Sequence, residues 1–274
     1  MDKKLSHYIE RIKDSFARNT DINKEFIFFL KEKLKIADLD ILSKNFEISN
    51  YQIDLIHKFI DDKKKGIPID YILESSFFNG RKFIVDNQVL IPRPETKLLV
   101  DYINNLYLKK NAKILDAGSG SGCIGISLAL DNPKILVYAN DISFQSCEIS
   151  KANKIMHEVK NYYLTNSNWL SCYQENIFDL IVSNPPYIDK NDVHLKKLIH
   201  EPKIALIAEE KGLRNFRLIT KQAYSKLKKD GILIFEHGYN QSKDVKLILK
   251  ENGLHGIKTI KDNNSNFRVT FGKK

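Results

Sequence analysis

Three places in the chain combine residue types and spacing that could do chemistry. The first is Ile114-Leu115-Asp116-Ala117-Gly118-Ser119-Gly120-Ser121-Gly122-Cys123-Ile124-Gly125. A strand pattern leads into three alternating glycines, and a helical pattern follows. Glycine at such a turn tolerates positive φ and lets the backbone approach a ligand, with a helix N-terminus behind it. Gly120 to Gly125 satisfies the dinucleotide fingerprint G-x-G-x-x-G, so an NAD reading has to be weighed. The second place is Asp141, at the end of the next strand pattern. Its spacing from the loop is that of a carboxylate accepting from both hydroxyls of a ribose. Helix N-capping is the competing role for Asp141, and Ser143 could fill that role instead. Loop and carboxylate together point to an adenosine-type cofactor, either NAD or S-adenosylmethionine.

The third place decides between them. The apolar run Ile177-Phe178-Asp179-Leu180-Ile181-Val182-Ser183 reads as a buried strand and opens directly into Asn184-Pro185-Pro186-Tyr187. Two successive prolines fix φ and remove backbone donors, which leaves a rigid turn rich in acceptors. The Asn184 side-chain oxygen and the Pro185 carbonyl can each accept a hydrogen from an –NH₂ group. That would turn the nitrogen's face toward a methyl carbon. Tyr187 can pack on a flat amide or base. An ordinary Pro-Pro turn is the bland alternative. A dehydrogenase has no use for this arrangement, so methyl transfer from S-adenosylmethionine to a planar amide or amino nitrogen is the better reading. Displacement at a sulfonium relies on positioning and charge placement. No metal and no covalent enzyme intermediate are expected. The sequence places no general base, so the proton is expected to leave to water.

The elements that must position these loops follow from periodicity. Candidate strands at Lys113–Asp116, Leu136–Asn140, Tyr162–Thr165, Ile177–Ser183, Gly231–Glu236, Ile257–Ile260 and Arg268–Phe271 alternate with helical patterns at Cys123–Leu130, Phe144–His157, Phe216–Lys228 and Ser242–Glu251. Such alternation argues for an α/β fold with a mostly parallel sheet covered on both faces. In the doubly wound order 3-2-1-4-5 the first and fourth strands are neighbours at the switch point. Ligands sit there, outside the carboxyl ends. The loops at Gly118 and Asn184 are therefore expected to face one another across one cleft.

Upstream, residues 1–75 carry helical apolar spacing (Tyr8, Ile9, Ile12, Phe16; Phe26, Phe29, Leu30, Leu34; Ile53, Ile56, Phe59, Ile60) up to the Gly66-Ile67-Pro68 break. Residues 76–95 hold a hairpin around Asn79-Gly80 and the linker Ile91-Pro92-Arg93-Pro94-Glu95-Thr96, leading into a helix from Lys97 to Leu108. The expected organisation is thus a small helical domain, a hairpin and linker, and a catalytic domain at 96–274.

A formal net charge of +10 raises the chance of a nucleic-acid partner. The lysines, however, are spread along the chain and its densest run, Asp61-Asp62-Lys63-Lys64-Lys65, mixes signs. No stable nucleic-acid partner is expected. No apolar run is long enough to span a membrane. The three cysteines, Cys123, Cys147 and Cys172, are odd in number and lack metal-ligand spacing. They fit reduced thiols in a cytoplasmic protein.

These motifs resemble those of the HemK-type protein-(glutamine-N5) methyltransferases, most closely the branch that modifies peptide chain release factors. The resemblance covers nearly the whole chain: Gly66-Ile67-Pro68, Tyr71-Ile72, Phe77-Phe78, Ile91-Pro92-Arg93-Pro94-Glu95-Thr96, the glycine loop, Asp141, Trp169, Ser183 through Ile188, Glu201-Pro202, Glu236-His237-Gly238 and Phe267-Arg268-Val269. It implies a helical N-terminal domain that recognises the substrate. It further implies a seven-stranded Rossmann-like domain whose last strand is antiparallel, and methylation of the glutamine amide in the Gly-Gly-Gln motif of release factors. Carried over, Asp116, Gly118, Ser119, Gly120, Ser121, Gly122 and Asp141 would hold S-adenosylmethionine, with Trp169 against its adenine and Asn184 beside it. Asn184, Pro185, Pro186 and Tyr187 would hold the glutamine amide, with Asn184, Pro185 and Tyr187 carrying the catalytic role. Without the family, Trp169 could equally be a core residue.

The chain departs from the pattern at Asn168, where the family usually has an acid, and at Ile207-Ala208-Glu209-Glu210, which replaces an Asp-Gly-Gly-like turn. Arg93 and Glu95 fit a structural clamp near the cleft. Two other substrates fit the same tetrapeptide: an adenine N6 amino group in DNA or RNA, and a ribosomal-protein glutamine. The first lacks a recognisable target-recognition domain here. The second is disfavoured by Gly66 to Ile72.

Overall fold

The computed structural model describes residues 3–16, 19–43 and 45–274, which divide into two compact units, Met1–Ser75 and Ser76–Lys274. In the first unit, helices Leu5–Ser15, Thr20–Glu32, Asp38–Leu42, Asn50–Lys64 and Ile69–Leu73 enclose one apolar core. Phe29 and Phe59 pack with ring centroids 4.8 Å apart, and Phe26 joins them at 5.3 Å from Phe59. The helix Asn50–Lys64 starts where its sequence says it should: Ser49 and Gln52 form a reciprocal capping box.

A hairpin of β1 (Ser75–Phe78), all but its first residue in the second unit, and β2 (Arg81–Ile84) comes next. Its two-residue turn needs positive φ at both positions, and Asn79 (φ 48°) and Gly80 (φ 73°) supply it. A 3-10 turn at Pro94–Thr96 feeds the helix Lys97–Asn104. That helix stops short of Leu108 because the Asn105 side chain donates back to the Asp101 carbonyl (2.8 Å), closing the last turn.

The sheet comprises β3 (Lys113–Ala117), β4 (Leu136–Asp141), β5 (Tyr162–Asn166), β6 (Phe178–Ser183), β7 (Leu227–Glu236), β8 (His255–Lys261) and β9 (Phe267–Lys273). Their order is β5-β4-β3-β6-β7-β9-β8. The first five pair in parallel, and β9 runs antiparallel to both β7 and β8. This is the doubly wound arrangement with a closing antiparallel strand. Strand β7 begins earlier than Gly231, because Leu227 pairs with Phe178 before a register shift carries the Lys-Lys-Asp turn. Asp230 takes φ 64° within that shift. The sequence pattern instead carries the preceding helix to Lys228 and starts the strand only at Gly231.

The sheet is buried on both faces. Helices Lys97–Asn104 and Cys123–Asp131 contribute Val100, Ile103, Ile126 and Leu128 to one core. Helices Arg214–Lys226 and Ser242–Glu251 contribute Phe216, Ile219, Val245 and Leu249 to the other. Phe178 anchors the second core at the root of β6, edge-on to Tyr173 (5.1 Å) and Tyr138 (5.7 Å). Phe178→Ala should cost about 3–5 kcal/mol, the usual range for emptying a buried phenylalanine site. Urea denaturation followed by circular dichroism measures this, and an unchanged midpoint would show that β6 does not depend on that packing.

Candidate functional site

The register Asp116↔Val182 sets the ends of β3 and β6 level, so the chain leaves both strands at the same edge of the sheet. The Ser183 hydroxyl then donates to the Ala117 carbonyl (2.6 Å) and ties the two exits together. A cleft of ≈ 280 Å³ opens above them, lined by Gly118 to Ser121, Asp141, Trp169, Asn184 and Pro186 among others. A second cavity of ≈ 340 Å³ lies beside Pro185, Tyr187, Leu198 and Leu206 and shares Leu90, Arg93, Asn184 and Ala205 with the first. Asn184 therefore stands at the junction of the two.

The glycine loop has the geometry its composition demands. Gly118, Gly120 and Gly122 all take positive φ (74°, 53° and 82°). A Cβ on Gly118 would lie 3.0 Å from the Trp169 ring, so the indole lies directly against the loop. Trp169 itself has φ 47°, and its carbonyl accepts from the Asn140 side chain (2.8 Å). The Asn140 carbonyl in turn accepts from the Gly118 and Ser119 N–H groups (both 2.9 Å). One buried asparagine thus fixes both walls of this end of the cleft. Its environment could not be read from periodicity, though its place just before Asp141 was a usable signal.

Asp141 accepts from the Gly120 N–H and the Ser143 N–H (both 2.9 Å). The cap of helix Phe144–Met156 is Ser143, whose hydroxyl accepts from the Ser146 N–H (3.1 Å). Asp141 is thereby left as an acidic acceptor on the cleft wall. Burial pushes its carboxyl above the ordinary range, against the opposing pull of the Ser143, Gly120 and Ile142 N–H groups. Asp116 lies underneath. Burial raises its carboxyl to about 7, opposed by the Gly125 N–H (2.9 Å) and reinforced by the charge of Asp141.

The polar atoms around this loop fit a nucleoside-type group. Ser119 Oγ, Asn140 Oδ1 and Asp116 Oδ1 are buried without a hydrogen-bond partner among the described residues, and three glycines at positive φ form the cradle. Asn168 also lines the cleft. Its side chain presents an amide rather than a carboxylate to that wall.

At Asn184-Pro185-Pro186-Tyr187 the structure sorts the available acceptors. The Pro186 carbonyl takes a hydrogen bond from Asn215 (2.9 Å), and the Tyr187 carbonyl takes one from Gln241 (3.0 Å). No hydrogen bond among the described residues reaches the Pro185 carbonyl. The Asn184 amide nitrogen donates to Thr96 Oγ1 (3.2 Å), which turns its oxygen the other way. Two acceptors are left, the Asn184 Oδ1 and the Pro185 carbonyl. Burial first, then the charge of Glu236, holds the Tyr187 phenol well above its ordinary pKa, so it stays neutral.

Arg93 pairs with the buried Glu201 (2.5 Å), whose second oxygen accepts from the Ile91 N–H (3.2 Å). The linker is clamped to the loop beyond Tyr187 in this way. Glu95 is exposed and takes no part in that contact. The departing segment Ile207–Glu210 holds Ile188 through backbone alone: Ile188 N–H donates to Leu206 and Ala208 N–H to Ile188 (both 2.9 Å). Ala208 sits in extended backbone (φ −129°), so that position needs no glycine. Thr96, Asn215, Gln241 and Glu236 are the residues whose roles sequence reasoning missed. Thr96 and Glu236 fell within motifs already noted, but nothing in one sequence says what they touch.

Comparison with known proteins bears on this geometry. The family model "Methyltransferase small domain" matches residues 94–211. A release factor glutamine methyltransferase of Shewanella oneidensis is 36% identical over 218 residues, covering 79% of this chain and 76% of that protein. A bifunctional methyltransferase of Rickettsia bellii is 35% identical, and this chain spans less than half (43%) of its length. Among solved structures, a methyltransferase from Pyrococcus furiosus superposes with a TM-score of 0.55 at 16% identity, over 83% of this chain and 99% of that one, which supports the fold. With its glycine loop and open acceptor pair intact, and with that degree of identity to the Shewanella enzyme, the chain belongs to the release factor glutamine methyltransferase family and is a methyltransferase dependent on S-adenosylmethionine.

Proposed function

We propose that this chain methylates the side-chain amide nitrogen, N5, of the glutamine in the Gly-Gly-Gln motif of peptide chain release factors. The observation that carries the reading is the acceptor count at Asn184 to Tyr187. Of the oxygens considered there, the two left open are Asn184 Oδ1 and the Pro185 carbonyl, and a primary amide has two hydrogens to give. Donating both hydrogens into fixed acceptors holds the amide plane still and presents one face of nitrogen. Tyr187, neutral and half-buried, can cover the flat side of that amide. The cavity on the Tyr187 side of Asn184 gives the acceptor side chain its own approach, separate from the glycine-loop cleft. The substrate itself is taken from the curated relatives, which are named for glutamine in release factors.

In this reading Asp116 and Gly118 through Gly122 shape the cofactor cradle, Asp141 accepts from ribose hydroxyls, and Trp169 lies along the adenine. The bound S-adenosylmethionine supplies an activated methyl group on a positively charged sulfur. The protein contributes orientation and exclusion of water, effects that together can lower a barrier by several kcal/mol. The helical unit Met1–Ser75 would recognise the release factor, and no stable nucleic-acid partner is required.

The deciding assay offers labelled S-adenosylmethionine and the full-length protein three substrates in parallel: a release factor, its Gln→Ala variant, and mixed DNA and RNA. Label is expected on the intact release factor alone. Label only on nucleic acid would replace glutamine with an exocyclic amino group as the acceptor. In the same assay Asn184→Ala should lower turnover by about 10²–10³-fold, the usual result of removing one group aimed at the reacting centre. Its affinity for S-adenosylmethionine, read by calorimetry, should stay within a few-fold. A fully active Asn184→Ala enzyme would sink the account.

The cofactor half is tested separately. Gly118→Ala forces a side chain to positive φ and toward Trp169, a strain of about 1–3 kcal/mol that binding must then overcome. S-adenosylmethionine affinity should weaken by about 5–150-fold. Undiminished affinity would remove Trp169 and Gly118 from the cofactor wall.

A further inference from the structure

The register Ser183↔Phe235 pairs the last residue of β6 with the penultimate residue of β7, so Asn184, which follows β6, and Glu236, the last residue of β7, come next along the two neighbouring strands. Glu236 is 2% exposed, and its Oε2 has no hydrogen-bond partner among the described residues. Thr96, itself buried, accepts from Asn184 through its hydroxyl oxygen, and it is the foremost of the side chains whose hydrogen bonding favours the charged form of Glu236, with Asn184 also among them. The mechanism so far gives this carboxylate no task.

A threonine hydroxyl can either accept from an asparagine NH₂ or donate to its oxygen, and the two choices turn the amide in opposite directions. A carboxylate on the far side breaks the tie. It can only accept, so it draws the Thr96 hydrogen toward itself and leaves lone pairs for the Asn184 NH₂. We propose that Glu236 is a positioning residue for the transfer: acting through Thr96, it fixes the Asn184 amide so that Oδ1, not NH₂, faces the acceptor nitrogen. This rests on the reading that Asn184 holds an –NH₂ acceptor. Without Glu236, Thr96 can donate to Oδ1, and the flipped NH₂ then meets the substrate NH₂ donor to donor.

Glu236→Gln offers the hydroxyl a donor or an acceptor with no preference. The kcat/KM for amide methylation should fall about 10–100-fold, the range seen when a supporting hydrogen-bond partner is removed. S-adenosylmethionine affinity should stay within twofold. Thr96→Val should behave like Glu236→Gln, Thr96→Ser should stay near wild type, and the double variant Glu236→Gln/Thr96→Val should lose no more than either single change, as expected for groups acting as one unit. Thermal stability should not fall in Glu236→Gln, since burial already opposes the charge it removes.

A readout free of substrate is the Asn184 side-chain amide resonance, assigned by its loss in Asn184→Asp. Burial raises Glu236 to about 7, with Thr96, Arg268 and Asn184 pulling down and Glu95 pushing up; Tyr187 and Cys123 are the other titratable groups that sense its charge. The resonance should titrate near pH 7 in the wild type and flatten in Glu236→Gln. Asp116 titrates in the same range and persists in the variant as an internal control. An amide resonance that titrates identically in both proteins overturns the proposal, as does a Glu236→Gln enzyme with kcat/KM within twofold of wild type. If the wild type fails to label a release factor, the substrate assignment fails while the resonance still reports on Glu236.

Discussion

The site depends on one piece of backbone geometry, the parallel pairing of β3 with β6 at the centre of the sheet. Asp116 opposite Val182 sets both carboxyl ends at one level, and only then do the glycine loop and the Asn-Pro-Pro-Tyr turn, more than sixty residues apart in the chain, share a cleft. A slip of one residue would turn every side chain of β6 to the other face of the sheet. The register is held by what lies on either side of it: Ile114 and Leu180 in one core, Leu115 and Ile181 in the other. The Ser183–Ala117 hydrogen bond sits at the point where pairing ends and the loops diverge.

Beyond that point the protein solves an accounting problem. A loop that must offer acceptors to a ligand risks satisfying them internally, because buried carbonyls seek partners. Here the carbonyls that are not needed are given dedicated donors. Asn215 takes Pro186 and Gln241 takes Tyr187, while proline at 185 and 186 removes the neighbouring N–H groups that could have closed on the rest. Gly212 belongs to the same solution. A Cβ there would lie 2.1 Å from the Tyr187 carbonyl, so only glycine lets the following turn press that carbonyl toward Gln241.

Much of this was legible in the sequence. Strand and helix alternation indicated the sheet, and the two loops announced themselves by residues whose backbone restrictions have few other uses. Asn79-Gly80 marked its hairpin, and Ser143 was the named alternative to Asp141 as helix cap, as the structure has it. The missing parts share a cause. Thr96, Asn140, Glu201 and Glu236 act through partners more than twenty residues away in the chain, and their types are ordinary at their local positions. Likewise the early start of β7 is a long-range effect: Lys228, Lys229 and Asp230 are poor strand formers, and only the pairing of Leu227 with Phe178 recruits them. Local pattern records what a backbone must do. It does not record which distant side chain a polar atom will meet.

Glu236 and Asp116 show the same logic at the level of charge. Each is a carboxylate at the carboxyl end of a central strand, buried, raised by that burial to about 7 and lacking a partner at one oxygen among the described residues. Placing such groups so close to the reacting centre costs stability, and a hydrophobic residue of similar volume would avoid that cost. What a carboxylate offers instead is one-way hydrogen bonding. Asp116 accepts from the Gly125 N–H and so holds the first turn of the helix behind the glycine loop; Glu236 attracts the Thr96 hydroxyl behind Asn184. Behind Asn184, a carboxylate that can only accept removes the ambiguity of a hydroxyl that could do either. The two loops that meet over β3 and β6 are each backed by one buried acid, and their orientation is set from beneath the cleft.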